Sequence, residues 1–314
     1  MSFVFVFAGQ GSQSVGMLAA LAAAEPTVRA TFDAASRVLG YDLWKLVSEG
    51  PEGELNATER TQPAMLAAGV ATWRVWGERG GAQPAGVSGH SLGEFTALVC
   101  AGALEFGAAI DLVRFRGEAM QAAAPAGGGA MAAILGLEDE AVLAVCREAA
   151  RGGVVEPVNY NSPGQVVIAG DTAAVQRAIE AARTRGAKRA VTLPVSVPAH
   201  SSLMRPAGER FARRLDAIEV RSPHTRYVSA VDALPHQDPQ EIRALLVRQL
   251  SSPVRWTQTL HALCTADVAQ VIECSPGRVL TGLNRRIERR SGLSFLALED
   301  PASMATALAA TAEG

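Results

Sequence analysis

The sequence predicts an α/β protein in which a mainly parallel sheet, covered by helices on both faces, is interrupted by a small βαββαβ unit. Three observations predict it. The segment 3–8 is a continuous apolar run, F-V-F-V-F-A, which a strand buried on both faces requires. Helix and strand patterns alternate through the last third of the chain, as parallel crossover connections demand. Between these parts, a complete βαββαβ order lies between the Gly-rich stretch Pro125-Ala126-Gly127-Gly128-Gly129 and the prolines Pro194 and Pro198.

The elements follow in order. A helix over 27–39 stops at Gly40, a residue suited to the left-handed C-cap. The next helix is expected to start near Pro63, a good first-turn residue, and carries Met65, Leu66, Val70, Trp73 and Trp76 at helical spacing. A short strand over 85–88 leads to helices over 92–100 and 106–122. The inserted unit then reads as strand 130–135, helix 138–150, a hairpin of 154–159 and 165–169 around Asn161-Ser162-Pro163-Gly164, a helix capped by Asp171 and running to Arg185, and strand 189–193. That order is the ferredoxin-like split unit. The expected division is therefore a large domain of residues 1–125 and 198–314 with residues 126–197 inserted. Beyond it come helices over 201–215, 238–250, 254–266 and 277–289, and strands over 227–231, 269–273 and 294–298.

Composition narrows the function. Hydrophobic residues at 48% and charged residues at 19% describe a packed globular chain. A net charge of −2 lacks the basic excess of a nucleic-acid binder. Cys100, Cys146, Cys264 and Cys274 form neither a CxxC pair nor a Cys/His cluster, so they read as reduced core thiols of a cytoplasmic protein without a metal site. The apolar N-terminus runs straight into G-Q-G-S-Q without a basic leader, and no run reaches the roughly 18 apolar residues of a membrane span.

The strongest chemical signal is Gly89-His90-Ser91-Leu92-Gly93, a G-x-S-x-G between a strand and a helix. In that context the serine hydroxyl is exposed on a sharp turn, beside helix N-terminal N–H groups able to hold an oxyanion. A plain Gly-rich turn with Ser91 as a cap is the bland alternative. The serine needs a base. His90 adjoins the nucleophile and should point away from it, and His224, His236 and His261 need only solvent. His200 sits in a proline-stiffened loop, P-V-S-V-P-A-H, and follows Ser91 in the chain. It is the candidate base, and an acylation rate rising through the ordinary imidazole range is expected. Gly9-Gln10-Gly11-Ser12-Gln13 lacks the Lys of a phosphate loop and has Ser14 where a dinucleotide fingerprint needs glycine. A loop donating an N–H to an oxyanion is the reading left.

Taken together, G-Q-G-S-Q, G-H-S-L-G-E, R-F-R-G-E-A-M-Q, N-S-P-G-Q-V-V-I-A-G, V-P-A-H and V-R-Q-L resemble the malonyl-CoA:acyl carrier protein transacylases of bacterial fatty acid synthesis, in the right order from about Phe3 to Ala309. The resemblance implies an α/β-hydrolase-like large domain with a ferredoxin-like insertion. It implies Ser91 as nucleophile, His200 as base and then acid, and oxyanion N–H groups from Gln10 and Leu92. It also implies that Arg116 binds the malonyl carboxylate and that the Gln249 carbonyl orients His200. Malonyl-CoA and holo-acyl carrier protein would be the partners, with no metal, redox cofactor, nucleic acid or membrane. Ile110, Val113, Gly117 and Met120 form an apolar stripe beside Arg116, and a half-buried guanidinium wants a carboxylate, from a ligand or from an internal Asp or Glu. The cations Arg183, Arg185, Lys188 and Arg189, with the pair Arg285-Arg286, are either a solvated face or a docking surface for an acidic carrier protein, in which Lys188, Arg189, Arg285 and Arg286 would take part.

Phe95, Ala230 and Cys274 depart from the family pattern, and neither Cys274 nor Ser275 is expected to act in catalysis. Three rivals stand beside this reading: a hydrolase, an inactive carrier-binding homologue, and a transacylase serving a polyketide pathway.

Overall fold

The computed structural model describes residues 2–124, 128–195 and 197–312. Its main sheet has six strands: β1 (Ser2–Phe7), β2 (Gly86–Gly89), β7 (Arg226–Val228), β8 (Pro235–His236), β9 (Val268–Glu273) and β10 (Ser294–Ala297), in the order β10-β9-β1-β2-β7-β8. All neighbours pair in parallel except β7 and β8. Successive strand residues point to opposite faces, yet Phe3, Val4, Phe5, Val6 and Phe7 are all at most 3% exposed. Both faces of the central strand are therefore covered. Phe5 makes edge contacts with Trp73 and Trp76 of the helix Thr58–Glu78, so the helical Trp spacing reports core packing.

A second, antiparallel sheet contains β3 (Gly129–Leu135), β4 (Val155–Ser162), β5 (Gln165–Asp171) and β6 (Arg189–Thr192), ordered β4-β5-β3-β6. The helices Asp139–Ala150 and Thr172–Thr184 share a separate apolar core with one face of this sheet. The opposite face carries Met131, Val158, Val167 and Ala169 in a small cluster of their own. Backbone bonds join β4 to the main body, with Tyr160 N–H donating to Val254 O (2.9 Å) and Val254 N–H to Val158 O (2.8 Å).

Several elements differ from expectation. Pro63 lies inside the helix Thr58–Glu78, not at its start. Proline cannot donate to the carbonyl one turn back, but tertiary contacts hold the early turn: Thr61 Oγ1 donates to Leu55 O (2.6 Å), and Gly117 packs so closely that a Cβ there would lie 2.7 Å from Glu59 Cα. Asp171 occupies the N-cap of its helix, but its carboxylate accepts from Val154 N–H (2.6 Å) and spends itself on the sheet. The antiparallel β8 and the helix Pro301–Ala312 carry no signal that the sequence patterns revealed. The linker residues Pro125, Ala126 and Gly127 lie outside the described residues. Among the described residues no helix is long and apolar enough to cross a membrane.

Candidate active site

β2 ends at Gly89 and the helix Gly93–Cys100 begins at once afterwards. Turning within that space puts Ser91 at φ +52°, a strained region for a residue with a side chain. The flanking glycines make the turn possible. A Cβ on Gly89 would lie 1.9 Å from Gly93 C, and one on Gly93 2.0 Å from Phe7 O. The loop after β1 packs against this elbow: a Cβ on Gly9 would meet His90 O at 2.5 Å and Leu92 N at 3.5 Å. That approach puts Gln10 and Leu92 on the wall of the same cleft.

His200 meets Ser91 from the other side. Its Nδ1 lies 2.8 Å from Gln249 O and its Nε2 2.7 Å from Ser91 Oγ. A carbonyl only accepts, so Nδ1 carries the proton and Nε2 is left to accept from the serine hydroxyl. The His200 backbone, at φ +66°, is pinned by its N–H to Leu250 O (3.1 Å). Burial, and then the nearby charge of Arg116, push the imidazole pKa down to about 3. Burial therefore favours the neutral, proton-accepting form of the base, and the pH dependence this implies is flatter than the one an ordinary imidazole would give.

Arg116, on the helix Phe106–Ala123, is 1% exposed. Nη1 donates to Gln62 Oε1 (2.9 Å), and Nη2 donates to Gln249 Oε1 (2.9 Å) and reaches Ser91 Oγ at 3.3 Å. Among the described residues the buried Nε–H has no partner. None of these partners is a carboxylate, so a direct internal salt bridge is not what holds the guanidinium. Its carbon lies 5.5 Å from the Phe95 ring centre, a cation–π distance. Burial lowers the Arg116 pKa to about 10, against the pull of the Glu94 charge, so the group stays cationic at neutral pH.

Gln249 joins these parts. Its backbone carbonyl takes the His200 proton donor, its Oε1 faces Arg116, and its Nε2 donates to Ser91 O (3.0 Å) and to Glu94 Oε2. Glu94 and Gln62 are polar side chains of this network that the sequence reading did not single out. Glu94 stood in plain view in G-H-S-L-G-E, but only three dimensions reveal that it is buried. His90 does turn away from the nucleophile, its Nε2 lying 2.8 Å from Asn161 Oδ1 and its ring resting near Trp256.

The cleft has a volume of about 420 Å³. One wall carries Gln10, His90, Ser91, Leu92, Arg116 and His200, and the other carries Met131, Asn159 and Val167 of the second sheet. Of the cationic candidates, Lys188, Arg189, Arg285 and Arg286 do not line it. Arg286 donates to Gln165 Oε1 (3.0 Å) and Arg285 to Phe295 O (3.2 Å). Arg183 is turned to Ala190 O (2.8 Å) and Arg185 to Glu148 (2.5 Å), so two members of the first cluster are engaged at home.

The departures have structural places. Ala230 contributes its N–H, which donates to Glu94 Oε1 (2.8 Å), so no side chain is needed there. Ser275 Oγ accepts from Ala8 N–H (3.1 Å) at the end of β1, and Cys274 is fully buried. Among the described residues no group of three or more His, Cys, Asp or Glu side chains is placed to hold a metal ion.

Comparison with known proteins finds relatives over nearly the whole chain. The acyl transferase domain family matches residues 4–295. The malonyl CoA-acyl carrier protein transacylase of Escherichia coli (strain K12) is 52% identical over 306 residues, covering 98% of each chain. The structure of the malonyl CoA-acyl carrier protein transacylase from Coxiella burnetii superimposes with a TM-score of 0.97 at 46% identity, covering 99% of this chain and 98% of that one. A malonyl-transacylase solved in complex with its type II PKS acyl-carrier protein gives a TM-score of 0.96 at 54% identity, covering 99% and 100%. With half its residues shared over nearly the whole of both chains, the protein belongs to the acyl transferase domain family, among the malonyl CoA-acyl carrier protein transacylases.

Proposed function

We propose that this chain moves malonyl from malonyl-CoA to the phosphopantetheine thiol of holo-acyl carrier protein, by a ping-pong route through a malonyl ester of Ser91. One observation carries the reading: two different groups converge on Ser91 Oγ. A neutral imidazole nitrogen lies 2.7 Å away, and a buried guanidinium free of carboxylate contacts lies 3.3 Å away. The first is what a serine needs to become a nucleophile. The second matches an acyl group that carries its own carboxylate.

In the first half-reaction His200 Nε2 takes the hydroxyl proton while Ser91 Oγ attacks the thioester carbon. The carbonyl electrons move onto oxygen, where the N–H groups of Gln10 and Leu92 receive the negative charge. The carbon–sulfur bond breaks, the CoA sulfur takes the proton from Nε2, and the malonyl ester remains. In the second, the pantetheine thiol gives its proton to Nε2 and its sulfur attacks the ester. Ser91 then leaves and recovers the proton. A neutral carbonyl suffices to orient His200, because a thiol, with a pKa of roughly 8.5, leaves more readily than an amine. This chemistry draws on no metal or redox cofactor.

The strand-elbow-helix arrangement supports an α/β-hydrolase-like large domain, and the order β4-β5-β3-β6 with two helices on one face supports a ferredoxin-like insertion. We divide the chain accordingly into 1–125 with 198–314, and 126–197, and assign the enzyme to the cytoplasm. Lys188, Arg189, Arg285 and Arg286 remain our candidates for docking an acidic carrier protein. The relative solved with a type II PKS acyl-carrier protein favours a second reading of the acceptor, a polyketide carrier in place of a fatty acid one.

The test isolates the two halves. Protein treated with malonyl-CoA and freed of CoA should pass its malonyl group to added holo-acyl carrier protein far faster than to water. Release of free malonate at the same rate with and without carrier would instead describe a hydrolase.

A further inference from the structure

Arg116 is charged and buried, and among the described residues no carboxylate touches it, yet one lies one residue beyond it. Glu94 is also 1% exposed. Its Oε1 accepts from Tyr227 Oη (2.6 Å) and Ala230 N–H (2.8 Å), and its Oε2 accepts from Gln249 Nε2. All three partners can donate to an ionised carboxylate. Burial, the larger effect, raises the Glu94 pKa above the ordinary carboxylate value, and these hydrogen bonds offset only part of that rise, so the ionised form rests on its three donors and on the guanidinium beyond the amide.

The Gln249 amide between the two charges has only one sensible orientation. Arg116 can only donate, so Oε1 must face it, and the amide N–H must face the carboxylate. The chain Arg116–Gln249–Glu94 is a buried ion pair with an amide inserted. His200 and His90 are both pushed towards the neutral form by burial, so they add no charge that would balance the guanidinium.

We propose that Glu94 stands in for the substrate's carboxylate, balancing Arg116 across the Gln249 amide in the free enzyme and thereby moderating its grip on malonyl. The proposal rests on the reading of Arg116 as the carboxylate-binding group. Contact through an amide, not directly, keeps the buried charges near balance, and among the described residues the Arg116 Nε–H has no partner. Stability of the free enzyme and affinity for the anionic acyl group then oppose each other. Glu94 is a positioning residue in this account, since it touches neither substrate nor nucleophile.

The experiment compares Glu94→Gln, Tyr227→Phe and wild type. Glu94→Gln keeps the shape and removes the charge, so the free enzyme should melt lower. A unit charge on the order of 10 Å from the bound carboxylate, at an effective dielectric constant of about 20, corresponds to roughly tenfold in binding. The KM for malonyl-CoA should therefore fall by about tenfold, with that for acetyl-CoA changing less than about twofold. Tyr227→Phe removes a hydrogen bond but no charge, and should leave the ratio of the two KM values where it is. A malonyl KM that rises, or equal changes for both substrates, overturns the proposal.

Should Glu94→Gln be too weak for kinetics, melting temperatures of Glu94→Gln, Arg116→Ala and the double variant decide. Removing both charges should cost less than the sum of the single losses, and strictly additive losses also overturn the pairing. Malonylation of wild type at Ser91 is checked first. If it is absent, the reading of the site has failed, and the melting cycle still tests the pair.

Discussion

Arg116 pays for its charge in a place almost without water, and among the described residues nothing in direct contact returns a full negative charge. On the proposed reading, a carboxylate arriving there would form a desolvated pair worth roughly 2–5 kcal/mol, or about 30- to 3,000-fold in kcat/KM. Arg116→Ala should lower malonyl transfer by that order and spare acetyl transfer. Arg116→Lys should fall between, keeping the charge and losing the planar fork. The check is kcat/KM for both CoA esters on folded protein, and an equal loss for both would make Arg116 a structural residue.

His200 yields a second expectation at this scale. Its folded pKa, about 3, lies below the ordinary value of 6.5, so the neutral base persists until the pH falls far below the usual histidine range. Acylation by malonyl-CoA should be nearly flat between about pH 5 and 8, where an unperturbed imidazole would change it steeply. His200→Ala should lower the rate at least ~10²-fold throughout. Single-turnover rates across that range decide it, and a clear inflection near pH 6.5 in wild type would show that the site is wetter than described. That Ser91 and His200 meet was legible in the sequence because a serine on a G-x-S-x-G turn and a histidine in a proline-stiffened loop leave local marks. Glu94, Gln62 and the amide of Gln249 were not, because an acid or amide on a helix looks the same buried or exposed.

At the scale of elements, the elbow is a steric device. Gly93 lets β1 and the helix Gly93–Cys100 approach until a Cβ would sit 2.0 Å from Phe7 O, and that contact is to backbone, which cannot swing aside. Gly93→Ala should therefore destabilise the fold by about 3 kcal/mol or more and displace Ser91. Chemical denaturation compared with Gly282→Ala, where nothing lies within 4 Å of the added Cβ, measures the difference. Equal midpoints would contradict the packing argument. The same reasoning shows what patterns can and cannot reveal. The apolar run of β1 and the Gly40 C-cap, at φ +77°, are local and were readable. Pro63 misled because the turn around it is held by Leu55 just before the helix and by the close approach of Gly117, and Asp171 because its carboxylate found the Val154 N–H just before β4 instead of a helix one.

For the whole molecule, the cleft forms where the face of the second sheet that carries Met131 and Val167 meets the elbow. Met131 and Val167 supply an apolar wall opposite Ser91 and His200. Such a wall suits the pantetheine arm that both thiol partners of the proposed ping-pong route would carry. The alternation of helix and strand foretold both sheets, but their mutual placement depends on bonds such as Tyr160 to Val254 and His90 to Asn161, which join residues 94 and 71 positions apart. No sequence period records contacts of that range.

All of these expectations depend on Ser91 carrying the acyl group. Intact-protein mass spectrometry after brief mixing with malonyl-CoA tests that most directly, with peptide mapping to find the site. Wild type should gain the mass of one malonyl group on Ser91, and Ser91→Ala should gain none. An adduct that survives in Ser91→Ala, or that maps to one of the four cysteines, would contradict the account.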